Sequence, residues 1–461
     1  MNQPIAEADK VGPANRVGRA VSWMKRPELS LIRKGIKGVS WSALSQIVEM
    51  VIRIGSSLVM TRLLTKEDYG VFGIAMIVVT TLEWFADLGV MQALMRHPDG
   101  LTRSYLMTGW WINVFRGLIL TSIVMIIAYP LGAYVYYEVP SFTPILLAVG
   151  LVSAIQSFKT PGMPKINHDL NYRALFFLRI SQTASSTIVM IVAAYFTGSV
   201  WSVVAGTLCG YAVVVAVSYL LSPIRPDWVW NRDAVREVSK VTRMFLPNTL
   251  CMALMTNTYL LMAVWLKIVT VGEFGLLNLA NSLASAGESF LMAGGNVYFA
   301  MLVQMKDETE RNEWHRRVLR YMAFGLMPAL CVTILIAPLV VRALYTRDYW
   351  GAGIPLAILV ARAMVRFAGL IQFQQLVVQS RIKYTTIGYI IAWIVQTLLL
   401  LGVGESLGLN GLALTSLVAV MVQVFVQALL ASRHEESLKP ILITFALIVT
   451  TLSAAAMIYR I

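Results

Sequence analysis

Along this chain apolar residues gather in long runs, each closed by a short charged or Pro/Gly-containing break. Thirteen runs can be read, at roughly 39–63, 70–95, 105–129, 142–158, 175–197, 200–222, 244–266, 274–303, 321–344, 353–379, 385–402, 411–431 and 441–459. A helix of about 20 apolar residues spans the hydrocarbon core of a bilayer. A transmembrane barrel would instead show alternating segments of about ten residues, far less apolar than these. The pattern predicts an all-α polytopic membrane protein of about thirteen transmembrane helices.

Composition supports that reading. Hydrophobic residues make up 57% of the 461 positions and charged residues only 13%, against about 25% charged in a typical soluble domain. Mean hydropathy is +0.69. These values exclude a soluble enzyme and a disordered chain. The net charge of +14 would suit nucleic acid, but the basic residues are dispersed between apolar runs and form no single face. No nucleic-acid partner is expected.

The dispersal has its own order. With the N-terminus in the cytoplasm, 27 Lys and Arg fall on the cytoplasmic side, in the tail and in alternate breaks. Four fall on the other side: Lys66, Lys267, Arg347 and Arg460. This asymmetry follows the positive-inside rule and predicts a multi-pass protein with its N-terminus cytoplasmic. The basic tail, with Lys25, Arg26, Arg33, Lys34 and Lys37, also suits anionic membrane lipids. The first 34 residues hold no apolar core long enough for a cleavable signal, so the first span is expected to target the chain.

Two segments repeat. TRLLTKEDYGVFGIA at 61–75 aligns without a gap to LKIVTVGEFGLLNLA at 266–280, an offset of 205. Arg62 falls on Lys267, Asp68 on Glu273, Tyr69 on Phe274, Gly70 on Gly275, and further on Glu83 on Glu288. A looser match sets GSVWSVVAG at 198–206 on GLNGLALTS at 408–416. Six spans separate the copies, which keeps their orientation, so the halves are parallel repeats about an axis along the membrane normal. The expected organisation is a basic tail (1–38), a first six-helix lobe (39–240), a second (241–432) and one additional C-terminal helix (433–461).

The run TRLLTKEDYGVFGIAMIVVTTLEWFADLGVMQALMR, with INHDLNYRALFFLRI, GSVWSVVAG, FGLLNLANSL and SLGLNGLALTSL, resembles the Wzx-type flippases of the multidrug/oligosaccharidyl-lipid/polysaccharide exporter superfamily. The blocks cover roughly residues 35–430 and are diffuse hydrophobic patterns, weak singly and specific together. The resemblance implies two six-helix lobes in a V. It also implies transport of an undecaprenyl-diphosphate-linked oligosaccharide, a repeat unit of exopolysaccharide, O-antigen or capsule, by alternating access. A polysaccharide polymerase and export machinery would be natural partners. Members of the group carry 12 or 14 spans, so a count of thirteen departs from the pattern.

Candidate chemistry lies in charges buried in the runs, each costing roughly 2.5–3.5 kcal/mol to insert at mid-bilayer. The central ones are Glu49, Arg53, Glu83, Arg116, Glu288, Arg362 and Arg366, with Asp87 one turn from Glu83. Glu49 and Arg53 stand four apart and suit an intrahelical ion pair. Glu83 and Asp87 share a sign and call for an arginine from another helix, or for a coupling H+ or Na+. Arg362 and Arg366 repel across one helix face and call for an anion between them, and guanidinium binds phosphate bidentately. Arg62, Arg179 and Arg342 lie near span ends, where they can reach the interface. The cargo set is therefore Arg53, Arg116, Arg362 and Arg366; the ion-coupling or charge-pairing set is Glu49, Glu83, Asp87 and Glu288.

Asn248, Asn257, Asn278, Asn281, Asn296, Gln372, Gln374 and Gln375 offer hydrogen bonds to sugar hydroxyls or to neighbouring helices. No P-loop, metal-ligand spacing or disulfide framework occurs, so neither a cofactor nor a metal is expected, and the chain reads as a transporter rather than an enzyme. Two alternatives remain. A cation-coupled multidrug exporter would prefer an acidic cavity. A membrane-embedded polysaccharide polymerase would need a large charged external loop, whereas the break at about 130–141 carries one acid, Glu138, and no Lys or Arg.

Overall fold

The computed structural model describes residues 27–86, 89–137, 139–169, 171–222, 224–305, 307–379, 381, 383–431 and 438–459. Among them there is no strand. The helices are α1 (Pro27–Leu63), α2 (Lys66–Phe85), α3 (Val90–Arg96), α4 (Arg103–Pro130), α5 (Phe142–Ser157), α6 (Met163–His168), α7 (Tyr172–Thr197) and α8 (Trp201–Leu221). There follow α9 (Arg232–Ala253), α10 (Tyr259–Trp265), α11 (Val271–Gln304), α12 (Glu308–Tyr321), α13 (Met327–Leu344), α14 (Gly353–Val378), α15 (Lys383–Ala431) and α16 (Leu438–Tyr459). Ten helices among the described residues are long and apolar enough to cross a membrane. Of the thirteen spans expected, three fall outside that count: α5 has 16 residues, the 232–265 segment is interrupted by a π-turn at Leu254–Thr258, and α11 runs for 34 residues with polar positions along it.

Large apolar side chains face outward on these helices. Ile126, Ile188, Phe196 and Leu220 are all more than 60% exposed. In water such a surface would aggregate; against lipid tails it costs nothing. Small residues bring helices together, as bilayer packing requires. Gly206 and Gly210 of α8 sit against Ser186 and Met190 of α7, where an added methyl would stand 2.6 Å from the Ser186 carbonyl. That G-x-x-x-G is a packing device.

The repeat has a structural counterpart. Thr65 caps α2 and Thr270 caps α11, each in a reciprocal box, with Asp68 and Glu273 as the return partners. Both lie at the 205-residue offset. Each box satisfies helix donors that would otherwise be orphaned. Gly198 ends α7 and Gly408 breaks α15, both left-handed, at φ +55° and +51°. A side chain at either would be strained, which explains why the looser sequence match begins on a glycine.

The paired helices α2 and α11 also touch. A methyl on Gly70 would overlap the Val271 carbonyl oxygen, and a methyl on Gly275 would overlap that of Lys66. Lys66 and Val271 are themselves 205 apart, so each half presents the same surface to the other, as in an isologous interface. Nearby, the Tyr345 and Ser57 hydroxyls are 2.6 Å apart, Tyr349 donates to the Leu64 carbonyl at 2.9 Å, and Lys267 lies 5.0 Å over the Tyr137 ring. At the other, basic end, an apolar cluster of Val90, Leu94, Leu106, Val238 and Val241 joins α3 and α4 to α9.

Helix α1 begins at Pro27 and is continuous through residue 38, and α9 is continuous through residue 240. Residues 1–26 and 432–437 lie outside the described residues.

Candidate functional site

Three of the four cargo arginines converge on one helix. Asn281, Ser285 and Glu288 of α11 are spaced four and three residues apart, which sets them on one face. Arg362 of α14 donates to the Asn281 amide oxygen at 2.7 Å and to the Tyr259 hydroxyl at 3.2 Å. Arg366, one turn on, pairs with Glu288 at 3.1 Å. Arg53 of α1 reaches across from the first half to the Ser285 hydroxyl at 3.4 Å. The α14 helix holds its arginines firmly because nearly every residue from Gly353 to Leu376 is buried.

The repulsion between Arg362 and Arg366 is thus met on the protein side by one carboxylate (Glu288), one amide (Asn281) and one hydroxyl (Tyr259). Three guanidinium groups share one carboxylate, a surplus of two positive charges. The Nε of Arg362 is buried with no hydrogen-bond partner. Arg366 also lines a cavity of about 160 Å³ with Asn248, Thr256, Tyr389 and Gln423.

Arg116 is elsewhere. It donates to the Ala86 carbonyl at 3.5 Å and lines a separate cavity in the first half. Glu83, the sequence counterpart of Glu288, has no arginine partner. It accepts from Ser153 at 2.8 Å and from the Gln156 amide. Asp87 lies outside the described residues. Glu49 and Arg53 do not pair; Glu49 accepts from Ser45 at 2.9 Å, because Arg53 turns toward α11. Arg62, Arg179 and Arg342 are exposed, as expected of side chains near span ends, and Arg342 stacks 5.7 Å from the Tyr459 ring.

Several amides hold helices together. Asn248 accepts from Thr385 and Thr386, and Asn312 from Gln375 and Gln379. The Asn278 amide points at the Tyr69 carbonyl across the halves at 3.4 Å. The buried oxygens of Gln372, Gln374 and Gln375 have no partner. Sequence reasoning missed Tyr259 and Ser285, which no spacing rule marks. It also missed the T-x-x-D/E capping boxes, which were readable. Among the described residues no group of His, Cys, Asp and Glu could hold a metal.

The helix set is that of a multi-pass membrane protein. In fold the chain is similar to the lipid II flippase MurJ in an inward closed conformation, with a TM-score of 0.68 over 91% of this chain and 98% of that one, at 11% identity. It is 26% identical over 224 residues to an uncharacterized membrane protein in the cps region of Klebsiella pneumoniae, covering 46% of this chain and 43% of that protein. It is 20% identical over 292 residues to the lipopolysaccharide biosynthesis protein WzxC of Escherichia coli K12, covering 61% and 57%. The chain spans about half the length of these curated relatives. The polysaccharide biosynthesis protein family model matches residues 59–354; the chain belongs to that family.

Proposed function

We propose that the chain flips a lipid-diphosphate-linked oligosaccharide, with an undecaprenyl carrier, from the cytoplasmic to the periplasmic leaflet of a bacterial inner membrane. The observation that carries this reading is the convergence of Arg53, Arg362 and Arg366 on the Asn281–Ser285–Glu288 face. Guanidinium groups from both halves on one face, with two positive charges in surplus, suit a diphosphate shared between halves. The fold and family support transport of a lipid-linked saccharide. The same surplus disfavours export of cationic drugs, for which an acidic site would be preferred. The residues 39–240 and 241–432 act as two lobes that rock about this face, with the N-terminus in the cytoplasm. Glu288, and with it Glu83 and Glu49, are the candidates for a coupling H+ or Na+.

The test is a deletion strain. Lipid-linked repeat units trapped on the cytoplasmic leaflet are the expected product. Single unpolymerised units appearing in the periplasm would mean that a later step is lost and that the chain does not flip them.

A further inference from the structure

The first half holds a second cationic site that the α11 face does not explain. Trp110, Asn113 and Arg116 recur every three residues on α4 and line a cavity of about 210 Å³ together with Gln156, Lys159 and Thr160. The Nε of Arg116 is buried without a partner. Lys159 follows the last turn of α5, its backbone carbonyl fixed by the Trp110 indole at 2.8 Å. Its ammonium has no hydrogen bond or ion pair among the described residues. Burial lowers the Lys159 pKa; Glu83 opposes that shift and Arg116 adds to it. Among the described residues Glu83 is the one acid that acts on Lys159, and it is already engaged by Ser153 and Gln156.

Two cations facing one cavity, with Glu83 as the single acid acting on Lys159 among the described residues, leave a positive charge in surplus, which is costly to keep unless something completes it. The volume narrows the choice. It far exceeds the space of a single water, about 30 Å³ in the liquid, and falls below the roughly 300–1,000 Å³ of sites for drug-sized molecules. A small anion fits. The approach is also basic: Arg103, Lys165 and Arg225 are exposed and line an adjoining cavity of about 460 Å³, and Leu106 forms a wall of both. Arg103 is paired with Asp227 at 3.1 Å, so the rim keeps a net positive charge from Lys165 and Arg225, which draws in anions.

We propose that this cavity binds a phosphate group entering from the basic end, with Arg116 and Lys159 as its paired cations and the Asn113 and Gln156 amides as further donors. The inference does not rest on the flippase reading, and it separates Arg116 from the arginines of α1 and α14 that converge on the α11 face. The phosphate is either soluble or the headgroup of an anionic lipid, which share this chemistry.

The experiment uses the full chain carrying Asn113→Cys, with Cys209, Cys251 and Cys331 changed to Ser, in nanodiscs of phosphatidylcholine. The rate of labelling by a small water-soluble thiol reagent is measured with and without pyrophosphate. Saturating pyrophosphate is expected to slow labelling at least tenfold. Lys159→Met should abolish the protection, Lys159→Arg should keep it, and Arg362→Ala should leave it unchanged. Slowing by phosphatidylglycerol nanodiscs without pyrophosphate would assign the site to a headgroup; slowing by pyrophosphate alone would assign it to a soluble phosphate. A thiol that never reacts, no slowing by either ligand, or protection that survives Lys159→Met would each overturn the proposal. If Lys159→Met does not purify as a single species, Lys159→Gln takes its place, and the protection of the parent protein still decides.

Discussion

Glu83 and Glu288 begin from the same instructions and end in different chemistry. Each lies 18 residues beyond the Thr that caps its helix, Thr65 or Thr270, at one fixed offset from the other. Glu288 is locked to Arg366, and its helix gathers Arg53 and Arg362 on the same face. Glu83 is held by neutral donors, while its cationic neighbours Arg116 and Lys159 face a cavity instead. A duplicated backbone therefore fixes where a carboxylate sits but not what it does. The partners come from helices outside the best-matched segment, and these have diverged.

The largest expected effect tests the Glu288 side. Arg366→Ala strips the buried Glu288 carboxylate of its partner; because the Arg366 side chain is itself 33% exposed, the cost should be about 3 kcal/mol, the low end for a buried pair. The Arg362→Ala/Arg366→Ala double variant should abolish polymer export while the protein still inserts. Glu288→Gln with Arg366→Gln should restore thermal stability but not export, measured as the melting temperature and as surface polysaccharide. Recovered export in that pair would remove the charge from the mechanism.

Next in size is the contact that makes the halves comparable. Gly70→Ala or Gly275→Ala forces a methyl onto a carbonyl, and overpacking of this kind costs about 1–3 kcal/mol. Both should raise hydrogen exchange at residues 66–75 and 271–280, and by similar amounts. A large effect from one and none from the other would break the symmetry. Thr65→Ala and Thr270→Ala should each cost about 1 kcal/mol, again alike, read from thermal unfolding. The smallest effect belongs to Glu83→Gln. Its amide oxygen can still accept from Ser153, so the loss should stay below about 1 kcal/mol. Glu288→Gln, which strands Arg366, should cost more.

Much of this was legible before any coordinates. Hydropathy alone marked the membrane helices, because a bilayer forces each run to satisfy its own backbone. The gapless match at 205 marked the segments that carry the paired capping boxes at Thr65 and Thr270, and the like charges of Arg362 and Arg366 called for an acid that Glu288 supplies to Arg366. The pairing itself was not legible. Glu49 and Arg53 had the right spacing for each other, yet Arg53 reaches Ser285, 232 residues away. An i,i+4 rule ranks local partners and knows nothing of a helix brought alongside. Lys159 was hidden for another reason. It sits in a basic break that serves topology, and a count of loop charges treats all its members as solvated.

The glycine contact between α2 and α11 has a mechanical consequence. At Gly70 and Gly275 carbonyl oxygens meet bare Cα atoms, so closing the joint there orders few side chains, the Asn278 amide on the Tyr69 carbonyl being one that it does. A joint of salt bridges or large side chains would have to re-sort its members on every cycle. Here the two helices meet like smooth bearing surfaces, and the work of a stroke is left to whatever occupies the arginine face.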